Sequence, residues 1–340
     1  MVGESSGGGP GRRLRMAALS PGVPEEMVGL LGGAGVDVVL PPSRDQDGVR
    51  RALEGADIVL ADWSGGLRLG AAEATLARGI GYIQNAGVGV ESVDLAAWAA
   101  AGVPVATTTG ANAVSVAEWC VGAALAMLRS MPWADAEVRA GRWPQLEMVD
   151  RGCHELSGRR VGIVGFGDIG SLCAVRFAAF GCEVAYWTRR RRSPEQEHGA
   201  TYRELDDLLS RSDVLLLVIA LTEQTRGLLD AARLARLPRG AILVNAGRGG
   251  LVDETALIEA LAGGALAGAA LDVFATEPLA PGSPLRAADR ALLSPHVAGA
   301  TSESRARIFS MIAGNLVRAM TGEPLVGVVN GASPLVRWRA

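Results

Sequence analysis

The side chains best suited to chemistry lie on three short stretches, each following an aliphatic run. Ala241-Ile242-Leu243-Val244-Asn245 leads into Ala246-Gly247-Arg248-Gly249-Gly250. Gly268-Ala269-Ala270-Leu271-Asp272 leads into Val273-Phe274-Ala275-Thr276-Glu277-Pro278, and Leu292-Leu293-Ser294-Pro295 leads into His296. An arginine, two carboxylates and a histidine at successive strand ends suit carbonyl reduction. Arg248 binds a carboxylate bidentately and polarises an adjacent carbonyl. His296 gives the proton as hydride arrives and takes it back in reverse. Glu277, bonded to the far imidazole nitrogen, orients the ring and raises its pKa. Each residue alone has a plainer reading: Arg248 as a surface turn residue, Glu277 as the residue before a proline bend. Their coincidence favours the chemical reading. His154 and His198 lie in polar stretches and read as surface residues. No metal is required.

A hydride needs a carrier, and the chain has a turn that fits one. Val161-Gly162-Ile163-Val164 runs into Gly165-Phe166-Gly167-Asp168-Ile169-Gly170, and a helical pattern follows. In such a turn Gly165 permits the tight bend and Gly167 lets a pyrophosphate approach the backbone. Gly170 lets helix and strand pack closely, and free N–H groups at Asp168 and Ile169 face the phosphates. The competing reading is a structural turn without a ligand. The strand–turn–helix context favours a dinucleotide, whose nicotinamide carboxamide Asp272 would hold. Ala246, Gly247 and Gly299 complete the expected cofactor lining.

The end of the next strand bears on which dinucleotide is held. Ala185-Tyr186-Trp187-Thr188-Arg189-Arg190-Arg191-Arg192 carries no carboxylate where an NAD site usually has one for the ribose hydroxyls. Thr188 stands there instead. An acid would repel a 2′-phosphate, whereas arginine grips it with a fork of donors. NADP(H) is therefore preferred, with NAD(H) possible. Arg189 and Arg190 are the expected phosphate contacts; the rest of the run reads as solvated loop.

These residues need elements to carry them. Of the 340 residues 49% are hydrophobic and 4% aromatic, so aliphatic side chains fill a sizeable core. Strand candidates are 15–19, 36–40, 57–61, 80–84 and 103–106, then 160–165, 183–187, 214–219, 241–245, 268–272 and 291–294. Helical patterns lie between them, including 24–32, 48–53, 95–101, 169–180, 202–210, 231–237 and 254–262. This alternation implies parallel sheets covered on both faces, an α/β fold of two doubly wound domains. Long helices at 113–129 and 302–320 bracket the second set. The expected division is a disordered leader 1–13, one domain of 14–112 plus 302–340, and a dinucleotide-binding domain of 113–301. The run Ala113–Leu128 is interrupted by Glu118 and short for a membrane span, so it reads as a buried helix.

Composition narrows the rest. Net charge is −3 with no long block of one sign, which argues against nucleic acid as the main partner. All 33 basic residues are arginine, which excludes Schiff-base chemistry on a lysine. Cys120, Cys153, Cys173 and Cys182 show neither disulfide-framework nor zinc spacing, and a reducing cytoplasm fits.

With these motifs in place, the chain resembles the D-isomer-specific 2-hydroxyacid dehydrogenase family, which includes glyoxylate/hydroxypyruvate reductases and phosphoglycerate dehydrogenases. The resemblance runs from about Val59 to Asn330. It includes Asn112–Glu118, the turn Gly165–Gly170, Asn245–Asp253, Leu271–Pro278 and Ser294–Thr301. It implies two Rossmann-like domains, the substrate domain flavodoxin-like, with a cleft between them. It implies a D-2-hydroxy/2-oxo acid substrate, domain closure, and a homodimer with the 113–129 helix in the interface. The family's Arg, Glu and His carry over as Arg248, Glu277 and His296, its nicotinamide-contacting Asp as Asp272, and its carboxylate-binding loop as Val88-Gly89.

Departures are informative. Val88 stands where phosphite dehydrogenases carry a lysine, which argues against phosphite oxidation. Trp63-Ser64-Gly65-Gly66 replaces the arginines that phosphoglycerate dehydrogenases place after the third strand, although Arg68 follows closely. The loop Val218-Ile219-Ala220-Leu221-Thr222 lacks a proline common in the family. The leading expectation is a glyoxylate/hydroxypyruvate-type 2-oxo acid reductase. One alternative is a specialised dehydrogenase for an anionic or bulky 2-oxo acid, with Trp63, Trp133 and Trp143 either shaping the pocket or packing. Another is a cofactor-sensing, corepressor-like binding protein, which the retained Arg248, Glu277 and His296 disfavour.

Overall fold

The computed structural model describes residues 13–20 and 25–338. The expected leader lies outside the described residues except for Arg13, as does Pro24 of the expected helix 24–32. Strands form at β1 (Leu14–Ala18), β2 (Val36–Val39), β3 (Ile58–Leu60), β4 (Tyr82–Gln84), β5 (Val105–Ala106), β6 (Arg160–Val164), β7 (Glu183–Trp187), β8 (Thr201–Tyr202), β9 (Val214–Leu217), β10 (Ala241–Asn245), β11 (Leu266–Leu271) and β12 (Ala291–Leu293). They make two wholly parallel sheets, β2-β1-β3-β4-β5 and β12-β11-β10-β9-β6-β7-β8. The chain divides into two compact units: residues through Ala111 together with those from Arg305 onward, and Asn112–Ser304.

In the first unit, alternate residues of the central strands feed opposite layers. Ala17 and Val59 pack with Val49, Leu53 and the fully buried Trp98, while Met16, Ala18, Ile58 and Leu60 pack on the other face. The helix Ser302–Thr321 brings Ile312, Leu316 and Ala319 to that second layer, the i, i+4, i+7 spacing of one helical face. The tail is tied in by Asn330, whose side chain accepts from Val105 N (3.1 Å) and donates to Val103 O (2.9 Å). Its strand order is that of the flavodoxin-like doubly wound sheet.

The second unit follows the Rossmann order with one strand added beyond β11. Val214 and Leu216 of β9 join a layer with the helices Ala113–Leu128 and Asp168–Ala179. Leu215 and Leu217 join the opposite layer with Leu205–Ser210 and Glu254–Ala262. Burial on both faces is why these strands read as unbroken apolar runs rather than alternating ones. Strand order reverses between β6 and β9, the place where such sheets open a ligand crevice beyond their carboxyl ends. Among the described residues no single helix is long and apolar enough to cross a membrane. Ala113–Leu128 is mostly buried, with Val116, Ala117, Cys120 and Ala124 in the core layer.

Two expectations need correction, and one helix adds to them. The 202–210 helix begins only at Leu205, because Thr201 and Tyr202 pair with Ala185 and Tyr186 as the edge strand β8. Tyr202 sets its ring edge-on to Tyr186 at 5.5 Å, and two residues are too few to show strand alternation. Met131–Arg139 forms a helix that its weak patterning does not announce. Packing fails as a reading for Trp63 and Trp143, which are 59% and 79% exposed. Trp133 instead carries the Arg151 guanidinium 4.2 Å from its ring centroid.

Candidate active site

The turn after β6 assigns each glycine a different steric duty. Gly165 has φ +99°, and a Cβ there would lie 2.8 Å from Val218 O and 2.9 Å from Ile219 Cα. A Cβ on Gly170 would lie 2.2 Å from Gly165 O, so only glycine lets the helix Asp168–Ala179 sit this close to the turn. At Gly167 a Cβ would meet nothing within 4 Å. Its backbone is thus left uncovered at the helix start, where the amides of Asp168, Ile169 and Gly170 lack intrahelical acceptors. Crowding behind and open space in front fit a pyrophosphate held by backbone N–H groups.

Beyond β7 the arginine run splits in two. Arg191 pairs with Glu197 at 2.8 Å, and Arg192 Nε donates to Phe166 O, inside the glycine turn, at 2.8 Å. Arg189 and Arg190 are exposed, and their side chains have no partner among the described residues. Thr188 Oγ donates to Arg190 O (3.2 Å), closing a small loop.

Beyond β10, β11 and β12 the reactive groups converge. His296 Nδ1 and Glu277 Oε2 are 2.8 Å apart, and Glu277 Oε1 accepts from Phe274 N at 3.0 Å. Asn245 fixes the loop that follows β10, donating to Arg248 O (3.0 Å) and accepting from Gly247 N (3.1 Å). Arg248 Nη1 donates to Gly247 O at 2.7 Å. Gly249 lies so close to Phe274 that a Cβ would fall 1.8 Å from its carbonyl carbon. That approach locks the Arg248 loop against the loop leading to Glu277. Ala246 donates its N–H to Leu217 O (3.2 Å), and Gly299 packs on Asn112, whose Nδ2 would be 2.8 Å from an added Cβ.

Asp272 shows a duty beyond the expected one. It is buried, accepting from Ser294 Oγ (2.6 Å), Val297 N (2.8 Å) and Ala298 N (2.8 Å). His296 N donates to Asp272 O at 2.8 Å, and His296 adopts φ +56°, a region uncommon for residues with a Cβ. The buried carboxylate therefore helps hold the turn that aims the imidazole. With Nδ1 engaged, Nε2 is left without a partner among the described residues.

Electrostatics follow the same geometry. The hydrogen bond to Glu277 raises the His296 pKa above its usual 6.5, and desolvation and the nearby Arg248 charge oppose it. Burial pushes Glu277 up, but the bonds from His296 and Phe274 N outweigh it and leave the carboxyl below its usual value. A carboxylate–imidazole pair beside an arginine can bind an anionic carbonyl compound and exchange one proton with it.

The model of the D-isomer specific 2-hydroxyacid dehydrogenase NAD binding domain matches residues 121–298, which contain the glycine turn and Arg248, Asp272, Glu277 and His296. The chain belongs to this family. The dehydrogenase is 41% identical over 251 residues to the glyoxylate reductase of Aeropyrum pernix, covering 72% of this chain and 74% of that one. It is 38% identical over 247 residues to the D-3-phosphoglycerate dehydrogenase of Haemophilus influenzae, covering 72% of this chain but 59% of that longer one. The solved structure of the NAD-dependent formate dehydrogenase of Staphylococcus aureus in complex with NAD matches at TM-score 0.80 and 29% identity, covering 92% and 97%. The dehydrogenase is thus an oxidoreductase with a nicotinamide-binding Rossmann domain.

Val88 and Gly89 lie on the loop after β4 in the first unit, with Val88 exposed. The buried Asn85 pins that loop, donating to Gly87 O (3.1 Å) and Gly89 O (2.6 Å). Sequence reasoning passed over Asn85, Ser294 and Gly249, whose roles rest on contacts that no local pattern reveals. His154 and His198 are exposed, and neither lies on the loops that carry Arg248, Glu277 and His296.

Proposed function

We propose that the dehydrogenase reduces a small 2-oxo acid of the glyoxylate or hydroxypyruvate kind to the D-2-hydroxy acid, with NADP(H) preferred over NAD(H). The observation that carries the chemistry is the 2.8 Å Glu277–His296 pair beside the loop of Arg248. When bound, the reduced nicotinamide supplies a hydride to the 2-oxo carbon. Arg248 binds the substrate carboxylate and polarises the carbonyl. His296 Nε2 delivers the proton to the carbonyl oxygen, and Glu277 keeps Nδ1 engaged and stabilises the imidazolium. Val88 and Gly89, presented by the loop that Asn85 pins, are further candidate substrate contacts, and the first unit is read as the substrate domain. Similarity to a glyoxylate reductase supports the substrate class.

Cofactor preference rests on the end of β7. Thr188 stands where a carboxylate would exclude a 2′-phosphate, and the exposed Arg189 and Arg190 carry guanidinium groups not engaged elsewhere. Asp168, Ile169, Gly165, Gly167 and Gly170 cradle the pyrophosphate in this reading, and Ala246, Gly247, Asp272 and Gly299 line the remaining cofactor surface. The reading includes a homodimer through the 113–129 helix, which sedimentation velocity measures. A panel of 2-oxo acids assayed by NADPH consumption tests the whole. Turnover of glyoxylate or hydroxypyruvate is expected. Absence of turnover with every 2-oxo acid would sink the catalytic reading and leave a cofactor-sensing binding protein.

A further inference from the structure

The loop that follows β7 is held by a network of side chains that includes none of Arg248, Glu277 and His296. Tyr186, fully buried on β7, stacks on Phe166 of the glycine turn with ring centroids 4.0 Å apart and 27° between planes. Its hydroxyl donates to Glu197 Oε1 (2.9 Å) and accepts from Arg192 N (3.0 Å). Glu197 also takes Arg191 Nε on Oε1 (2.8 Å) and Arg191 Nη2 on Oε2 (3.4 Å). Arg192 Nε closes the ring by donating to Phe166 O at 2.8 Å.

Two consequences follow. The arginines nearest Thr188 keep their guanidinium groups uncommitted among the described residues, while the last two of the run are committed to Glu197 and Phe166. The Glu197 carboxylate, which would repel a phosphate on this loop, is neutralised by Arg191. We propose that Tyr186, Glu197, Arg191 and Arg192 form a latch that fixes the loop so that Arg189 and Arg190 face a 2′-phosphate, making them positioning residues for cofactor choice. This rests on the NADP(H) reading above and adds what enforces it: the same loop without the latch keeps its arginines but loses their placement.

The test compares 2′,5′-ADP with 5′-AMP as calorimetric ligands of the whole enzyme. The two probes share adenosine and a 5′-phosphate, so their affinity ratio isolates the 2′-phosphate. Tyr186→Phe removes one hydroxyl and keeps the stack on Phe166; Glu197→Ala removes the carboxylate from a half-buried loop site. Each is expected to weaken 2′,5′-ADP about tenfold while 5′-AMP changes by less than about twofold. The ratio of kcat/KM with NADPH to that with NADH should fall by the same factor. Equal losses for both probes, or no loss, overturn the latch. A wild-type enzyme that binds the two probes alike overturns the NADP(H) reading itself. A wild-type preference that survives both substitutions overturns only the latch.

Discussion

Glu277 Oε2 stands 2.8 Å from His296 Nδ1, a bond made across 19 residues between loops that leave neighbouring strands of one sheet. It holds the imidazole protonated to higher pH than a free histidine. Reduction consumes the imidazolium proton. Its kcat/KM should therefore be high below the raised His296 pKa and fall as pH rises through it, while oxidation, which needs the neutral ring, should rise. Glu277→Gln removes the charge, so the falling limb should move toward acid and the rate near pH 7.5 should drop roughly tenfold or more. A falling limb that stays in place in the variant would remove Glu277 from this role.

Replacing His296 separates chemistry from backbone geometry. Because His296 sits at φ +56°, Asn, which tolerates that region, is a cleaner substitute than Ala. His296→Asn is expected to lower kcat by about 10²–10⁴ while calorimetry shows NADPH binding unchanged. Substantial turnover in the variant would assign the proton to another group.

Arg248→Ala should raise KM and lower kcat together by at least about a hundredfold, since it removes a bidentate carboxylate contact and the charge facing the carbonyl. Arg248→Lys should recover only part, because an ammonium lacks the guanidinium fork. Steady-state parameters matching the wild type in either variant would show that another cation binds the substrate.

The glycine turn gives a paired prediction. Gly170→Ala forces a Cβ to within 2.2 Å of Gly165 O, so thermal stability and dinucleotide affinity should both fall, by about 1–3 kcal/mol or more in stability. Gly167→Ala meets nothing within 4 Å, so the melting temperature should hold while the dinucleotide binds more weakly. A Gly167→Ala enzyme with full affinity would show that the pyrophosphate does not approach there.

Arg189→Ala combined with Arg190→Ala should cut the NADPH-to-NADH ratio of kcat/KM roughly tenfold to a hundredfold, the worth of charge-assisted hydrogen bonds to a phosphate. A wild-type enzyme that clearly prefers NADH would contradict the assignment before any substitution is made.

Much of the architecture was open to reading because it rests on local chemistry. Aliphatic runs longer than a half-buried strand allows marked β9 and β10 as buried on both faces, and Gly165, Gly167 and Gly170 between strand and helix marked a dinucleotide turn. Thr188 in place of an acid was visible one residue past β7. What escaped was short or non-local. β8 is two residues long, and its pairing with Ala185 and Tyr186 leaves no periodic trace.

By itself the sequence determined the residue types at each strand end, and so which chemistry could occur at that edge of the sheet. Strand ends are set by local pattern, and the parallel fold then sends Arg248, Asp272, Glu277 and His296 to the same side. Only the tertiary structure decided how those groups are held. Asp272 buries its carboxylate under the His296 turn, Gly249 presses on Phe274, and Arg192 reaches back to Phe166 O. Each of these joins residues from 22 to 26 positions apart, where spacing along the chain carries no record and packing alone selects the partner.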